Sequence, residues 1–323
     1  MPVLLDVRSL SASFSVGDRQ VPAVRDVSFT IDRGEVVGLV GESGCGKSAT
    51  ALSLMRLLPD PPGRISSGNV FLDGVDVLRM DDGELRQMRG GRVAMVFQDP
   101  FSCLNPTMTL GEQVIEAIRA HSTLSRREAR LKALDLLRSV HMPMPELRMK
   151  QYPHQISGGQ RQRVMIAMAF AGDPELIIAD EPTTALDVTV QAQVLALMLD
   201  LRARTNTAIL LITHDLGVVA ETCDRMLVMY AGRIVEEGPT ETVFHRPMHP
   251  YTRGLLASLP SIEGPRAARL PSIPGQPPAP TEIGRGCAFA DRCPDVMERC
   301  RLEEPAQTVV GTRQTVRCWL YER

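Results

Sequence analysis

Hydrophobic residues fall in short unbroken blocks, separated by turn-forming and charged segments. Val36-Val37-Gly38-Leu39-Val40, Leu176-Ile177-Ile178-Ala179 and Ala208-Ile209-Leu210-Leu211-Ile212-Thr213 are continuous apolar runs of strand length. Val93-Ala94-Met95-Val96-Phe97 is another. Such runs suit strands buried on both faces of a parallel sheet. Residues 3–31 alternate instead, with Val24, Val27, Phe29 and Ile31 on one side. Asp73-Gly74 and Ala231-Gly232 each separate two such runs, at 69–77 and 227–236, and predict hairpins with two-residue turns.

Between about Pro100 and Ala171 the strand signal fades and a helical period takes over. Val114, Ile115 and Ile118 form one apolar stripe, and Leu131, Leu134, Leu137 and Val140 another. After His249-Pro250-Tyr251-Thr252 comes a helix-like stretch at 253–258. Pro260, Pro265, Pro271, Pro274, Pro277, Pro278 and Pro280 then predict an extended connector. The expected fold is α/β: a parallel-sheet core with an antiparallel β subdomain, an inserted α-helical subdomain (about 100–171) and a small C-terminal extension. The expected division is 1–258 and 259–323.

The first apolar run leads into Gly41-Glu42-Ser43-Gly44-Cys45-Gly46-Lys47-Ser48, which fits G-x-x-x-x-G-K-[ST] without mismatch, and then into helix-like 49–55. Glycines let successive backbone N–H groups converge on phosphate oxygens, and the helix end adds its dipole. Gly41, Ser43, Gly44, Cys45, Gly46, Lys47, Ser48 and Ala49 are therefore read as the cradle of a nucleoside triphosphate. Lys47 would reach the β- and γ-phosphates, and the Ser48 hydroxyl would ligate Mg²⁺. The run 176–179 ends in Asp180-Glu181, where an idle buried charge would be costly. Asp180 is placed for the magnesium ion and Glu181 for polarising a water. Of the six histidines, only His214 ends a core strand, from which it can hydrogen-bond a γ-phosphate. His121, His141, His154, His245 and His249 read as surface or structural residues.

Composition narrows the options. At 323 residues and 44% hydrophobic content a sizeable core is available. A net charge of −2 and 4% aromatic residues give no footprint for nucleic acid. No apolar run approaches the ~20 residues that span a bilayer, and the first residues lack the pattern of a signal peptide. The chain is expected on the cytoplasmic side of a membrane, touching it through other proteins.

Ile156-Ser157-Gly158-Gly159-Gln160, taken with the phosphate loop, resembles the signature of ATP-binding subunits of ABC transporters, a likeness that spans roughly 3–258. The resemblance implies that Ser157, Gly158, Gly159 and Gln160 begin a helix facing the γ-phosphate on a partner subunit, with Ile156 replacing the usual leucine. It implies that Gln98 contacts magnesium and the water, and that Ala185-Leu186-Asp187 crosses the dimer interface. Phe14 would stack on adenine, although a strand-core role suits it equally. Residues 99–106 would lie where the helical lobe docks membrane subunits.

Four of the seven cysteines, Cys287, Cys293, Cys300 and Cys318, crowd the tail. Cys45 sits in the phosphate loop, and Cys103 and Cys223 read as structural. A reducing compartment disfavours disulfides, and a four-cysteine set suits zinc or an iron–sulfur cluster. Free structural thiols are the third option. The tail resembles the C-terminal extension of oligopeptide and dipeptide importer ATPases, some of which hold a [4Fe–4S] cluster, and this implies the same four ligands here. The implied activity is ATP hydrolysis coupled to peptide import. It calls for a second ATPase subunit, two permeases and an extracytoplasmic solute-binding protein. A non-transport ABC ATPase of DNA repair, chromosomes or ribosomes is the alternative.

Overall fold

The computed structural model describes residues 2–99, 103–184, 186–259 and 272–322. Pro100, Phe101, Ser102, Ala185 and the connector's Pro260, Pro265 and Pro271 lie outside the described residues. The chain opens with β1 (Val3–Val16), β2 (Arg19–Asp32), β3 (Val36–Val40), α1 (Lys47–Leu54), β4 (Gly63–Leu72) and β5 (Val75–Asp76). Next come α2 (Asp82–Met88), β6 (Val93–Val96), α3 (Leu110–Ala120), α4 (Arg126–Ser139), α5 (Pro145–Arg148) and α6 (Gly158–Ala169). They are followed by β7 (Leu176–Asp180), α7 (Val188–Thr205), β8 (Ala208–Thr213) and α8 (Leu216–Thr222). The last third holds β9 (Arg225–Tyr230), β10 (Arg233–Pro239), α9 (Thr240–His245) and α10 (Pro250–Ala257), then α11 (Glu298–Leu302), β11 (Gln307–Gly311) and β12 (Gln314–Arg317). Among the described residues no helix is long and apolar enough to cross a membrane.

The chain forms two compact units. One gathers Met1–Leu4, Ile31–Glu35 and Asp76–Ile212; the other gathers Leu5–Thr30, Val36–Val75 and Thr213–Arg323. In the first, β6, β7 and β8 run parallel, with Val93 opposite Leu176 and Leu176 opposite Ala208. Every residue of β7 and β8 is buried, which is why these segments read as unbroken apolar runs. Helices α2, α3 and α4 start on capping boxes: Asp81 with Glu84, Thr109 with Glu112, Ser125 with Glu128. Hydrogen bonds from the Thr109 and Ser125 hydroxyls hold the Glu112 and Glu128 carboxyls below their usual range.

Helices α3, α4 and α6 pack together, with Val114 and Ile118 fully buried. Of the stripe expected on α4 and just beyond it, Leu137 and Val140 are fully buried and Leu134 is half-buried, but Leu131 is not part of the packed face. Ala129, Ala133 and Leu137 are buried, while Leu131 is 58% exposed. Residues 129, 133 and 137 lie at successive i, i+4 positions, and the small alanines are the side that meets its neighbours.

The second unit contains a four-stranded sheet in the order β2-β1-β4-β5. Asp73 and Gly74 both have positive φ, 50° and 81°, as a tight hairpin turn requires. Asp26, at φ 50°, interrupts β2, so that Val24 and Val27 both face inward although three positions apart. A further sheet section pairs β3 in parallel with β9, then runs antiparallel through β10, β12 and β11. The strands β11 and β12 belong to the C-terminal extension.

Glu236 on β10 organises this region. It is 1% exposed, and its carboxylate accepts hydrogen bonds from Met248 N–H (2.8 Å), His249 N–H (2.9 Å) and Gln314 Nε2 (2.9 Å). His249 caps α10 by accepting the Tyr251 N–H at Nδ1, 3.0 Å away. Burial, helped by Arg253, pushes the His249 pKa down to about 3. An unfolded chain takes up this proton near pH 6.5, whereas the folded one does not, so folded stability falls as pH drops below 6.5. The expected loss from this group is at most ~1.4 kcal/mol per pH unit. Urea unfolding at about pH 6.5 and about pH 5, either side of the unfolded-chain titration, should show a smaller loss for His249→Asn, which keeps a cap, than for the native chain.

Candidate functional site

In the second unit, β3 delivers the chain into the phosphate loop from a fully buried strand. A β-carbon on Gly41 would lie 2.2 Å from the Met229 carbonyl oxygen, and one on Gly46 would lie 2.3 Å from that of Ala23. Gly46 also has φ 109°, a conformation that other residues rarely adopt. Cys45 is buried, and its carbonyl accepts the Gly232 N–H at 2.8 Å. Burial raises its pKa and keeps it a neutral thiol. Ser43, Gly44 and Ser48 are exposed, leaving one face of the loop open. Lys47 is 5% exposed and lies along the loop, donating from Nζ to the carbonyls of Gly41 (2.8 Å) and Glu42 (3.0 Å). Ala49 is in the first turn of α1.

Half-buried Phe14 lies on β1 and shares a cavity of about 150 Å³ with Gly44, Cys45 and Gly232. His214 is exposed in the bend after β8. Next to it, Asp215 caps α8 by accepting the N–H groups of Gly217 (2.9 Å) and Val218 (3.2 Å).

In the first unit, Asp180 is the last residue of β7 and is 6% exposed. Glu181 follows with φ 46°, held there by its N–H bond to the Ile212 carbonyl (2.9 Å). A positive φ at a glutamate is a strained arrangement of the kind that gathers at working sites. Its Oε2 accepts from Gln98 Nε2 (3.1 Å) and from the Thr184 hydroxyl (2.8 Å). Gln98 and Glu181 are thus brought together, and Thr184 joins them. The donors expected for magnesium (the Ser48 hydroxyl, the Gln98 amide oxygen and the Asp180 carboxylate) are all hard oxygen ligands and suit that ion.

Ser157 is the exposed N-cap of the 12-residue α6, and its hydroxyl accepts the Gln160 N–H in a capping box. A β-carbon on Gly159 would fall 2.7 Å from Val190 Cγ1, while Asp187 caps α7 by accepting the Val190 N–H at 3.0 Å. The starts of α6 and α7 therefore adjoin, with Gly158 half-buried between them and solvent. Ile156 is 7% exposed, filling a packed position as a leucine would.

The tail cysteines converge. Cys287, Cys293, Cys300 and Cys318 line one small cavity with Trp319, about 10 Å³ in volume. Burial lifts the Cys287 and Cys318 thiols to about 11, and proximity to the other cysteines adds to this. Among the described residues, no group of three or more His, Cys, Asp or Glu is disposed to hold a metal ion. The [4Fe–4S] expectation for these four residues therefore gains no support. Cys103, expected to be structural, is exposed, whereas Cys223 is buried.

Two family models match the chain. One, described as ABC transporter, covers residues 24–184. The other, described as oligopeptide/dipeptide transporter, C-terminal region, covers residues 235–300. A probable peptide ABC transporter ATP-binding protein (y4tR) of Sinorhizobium fredii strain NBRC 101917 / NGR234 is 50% identical over 98% of this chain and 95% of its own length. The dipeptide transport ATP-binding protein DppD of Bacillus subtilis strain 168 is 46% identical over 100% of this chain and 96% of its own. The chain belongs to the ATP-binding subunits of oligopeptide and dipeptide ABC transporters. Among solved structures, the dimeric post-hydrolysis ATP-binding cassette MJ0796 bound to ADP and Pi gives a TM-score of 0.66 at 29% identity. The match covers 73% of this chain and 99% of that one.

Two features of this ABC subunit are missed by reading its sequence. Thr184 stands three positions after Glu181, a spacing that could have flagged it. Glu42 is gripped by residues more than 200 positions away, Tyr251 and Arg292, for which no local signal exists. The tail chemistry is directly testable. Iodoacetamide near neutral pH should modify exposed Cys103 quickly and Cys287 and Cys318 slowly, with the slow pair accelerating as pH approaches about 11. Peptide mass mapping reads this; equal rates near neutral pH would contradict the buried, protonated state.

Proposed function

We propose that this chain is the ATP-hydrolysing motor subunit of an importer of di- and oligopeptides. The observation that carries the reading is identity of about half, extending over the cassette and the C-terminal extension together, to proteins named for peptide transport. A non-transport ABC ATPase is disfavoured for the same reason, since the extension's likeness is to a transporter region.

Each part of the chain has a role in this reading. The phosphate loop binds ATP through its N–H groups, Lys47 and the N-terminus of α1. Ser48, Asp180 and Gln98 would hold Mg²⁺, which would supply positive charge to offset that of the phosphates. Glu181 takes a proton from the attacking water, with Gln98 and Thr184 fixing its carboxylate. His214 donates to the γ-phosphate, and Phe14 stacks on the base. Ser157, Gly158, Gly159 and Gln160 present the end of α6 to ATP on a second ATPase subunit, and Asp187 lines the same junction. A dimeric cassette with bound ADP and Pi among its structural relatives supports that arrangement.

Closure over two ATP molecules drives two permeases from the cytoplasmic face, and a solute-binding protein outside delivers the peptide. Nucleic acid has no part in the cycle.

Glu181→Gln should bind ATP with near-native affinity but hydrolyse it roughly 10²–10⁴ times more slowly, as loss of a general base does. Phosphate release under single-turnover conditions measures this. Unchanged turnover would remove Glu181 from the mechanism.

A further inference from the structure

Glu42 places a carboxylate inside a loop that receives a polyanion, and the second unit contains a device that deals with it. Arg292, from the C-terminal extension, makes a bidentate pair with that carboxylate: Nη1 to Oε2 at 2.7 Å and Nη2 to Oε1 at 2.9 Å. Its side chain is 5% exposed, and that of Glu42 is 27% exposed. Arg292 is itself fixed on all sides. Its Nε donates to the Pro274 carbonyl (2.9 Å), Nη1 donates to the Tyr230 hydroxyl (3.3 Å), and its guanidinium lies over the rings of Tyr230 and Phe289. Fully buried Tyr251 holds the same loop residue by its backbone, its hydroxyl accepting the Glu42 N–H at 2.9 Å.

We infer that Arg292 is a positioning residue of the ATP site: it neutralises Glu42 and turns its carboxylate away from the incoming phosphates, making the C-terminal extension a working part of the phosphate loop. This rests on reading residues 41–48 as the triphosphate site. The fork geometry explains why an arginine performs the task, because a lysine ammonium offers one point of charge and cannot fix the carboxylate plane. Without the pair, a carboxylate would face phosphate charge of the same sign at close range. The C-terminal extension borders the loop at a second place as well. Pro277 and Pro278 of the connector line the cavity that Gly44 and Cys45 border.

The test uses the full-length chain and the non-hydrolysable analogue AMP-PNP with Mg²⁺, titrated calorimetrically. Arg292→Gln should raise the Kd on the order of tenfold, a step of one decade in affinity. The double variant Glu42→Gln/Arg292→Gln should recover most of that loss, because no uncompensated carboxylate remains. Arg292→Lys should fall between, retaining charge without the fork. A purely structural role for Arg292 would leave the double variant as weak as Arg292→Gln, and that result overturns the inference, as does native affinity in Arg292→Gln. If Arg292→Gln does not fold, the double variant and Arg292→Lys carry the comparison: native-like affinity in the first with a loss in the second supports it, and a loss only in the first overturns it. Lys47→Ala separates the underlying reading, since undiminished AMP-PNP binding in that variant would move the triphosphate off this loop altogether.

Discussion

Gly46 stands in a backbone conformation that favours glycine, with the Ala23 carbonyl where a side chain would begin, and Gly41 meets the Met229 carbonyl in the same way. These two close approaches let the loop curl against β2 and β9. Because it curls, Cys45 is buried, Ser43, Gly44 and Ser48 face outward, and Lys47 lies along the loop carbonyls. An anion site made mainly of backbone N–H groups depends on the chain being able to bend that sharply. Side-chain chemistry can be added to such a loop but cannot replace its shape.

The first unit meets a comparable demand differently. Glu181 carries its strain in its own backbone, at φ 46°, and the surrounding bonds from Gln98, Thr184 and the Ile212 carbonyl keep it there. Strain of this kind persists only where neighbours over-determine it. The two helix starts that carry Ser157 and Asp187 are likewise fixed by short-range bonds, Ser157 with Gln160 and Asp187 with Val190. The extension is too small for a large core of its own, and it is secured through Gln314 to buried Glu236 of β10 and through Arg292 to Glu42.

Much of this is legible in the chain. The strands around residues 36–40, 93–96, 176–180 and 208–213 announce themselves because burial on both faces leaves no polar alternation. The two hairpin turns are read from Asp73-Gly74 and Ala231-Gly232 because few residues accept positive φ twice in succession. The hairpin of β11 and β12 gives no such signal. Its strands are short and mix polar with apolar residues, Val309 points largely to solvent, and the two central residues of its turn, Thr312 and Arg313, include no glycine. The α4 stripe is legible at Leu137 and Val140 but not at Leu131, because leucines outweigh alanines in any count of hydrophobicity, whereas close packing here takes the small Ala129 and Ala133. Spacing finds the cysteine set but is silent on the space between thiols. Long-range pairs such as Arg292 with Glu42 leave no periodic trace.

The most direct measurement is Mg-ATP affinity of Gly46→Ala beside Gly44→Ala. Gly44 has φ 78° but a β-carbon there would have no atom within 4 Å, whereas at Gly46 both the dihedral and the Ala23 carbonyl oppose a side chain. The expected result is a folded Gly46→Ala chain whose ATP affinity falls by about a hundredfold or more, with a clearly smaller loss for Gly44→Ala. Native ATP binding by Gly46→Ala would contradict the dependence of the site on this loop's shape.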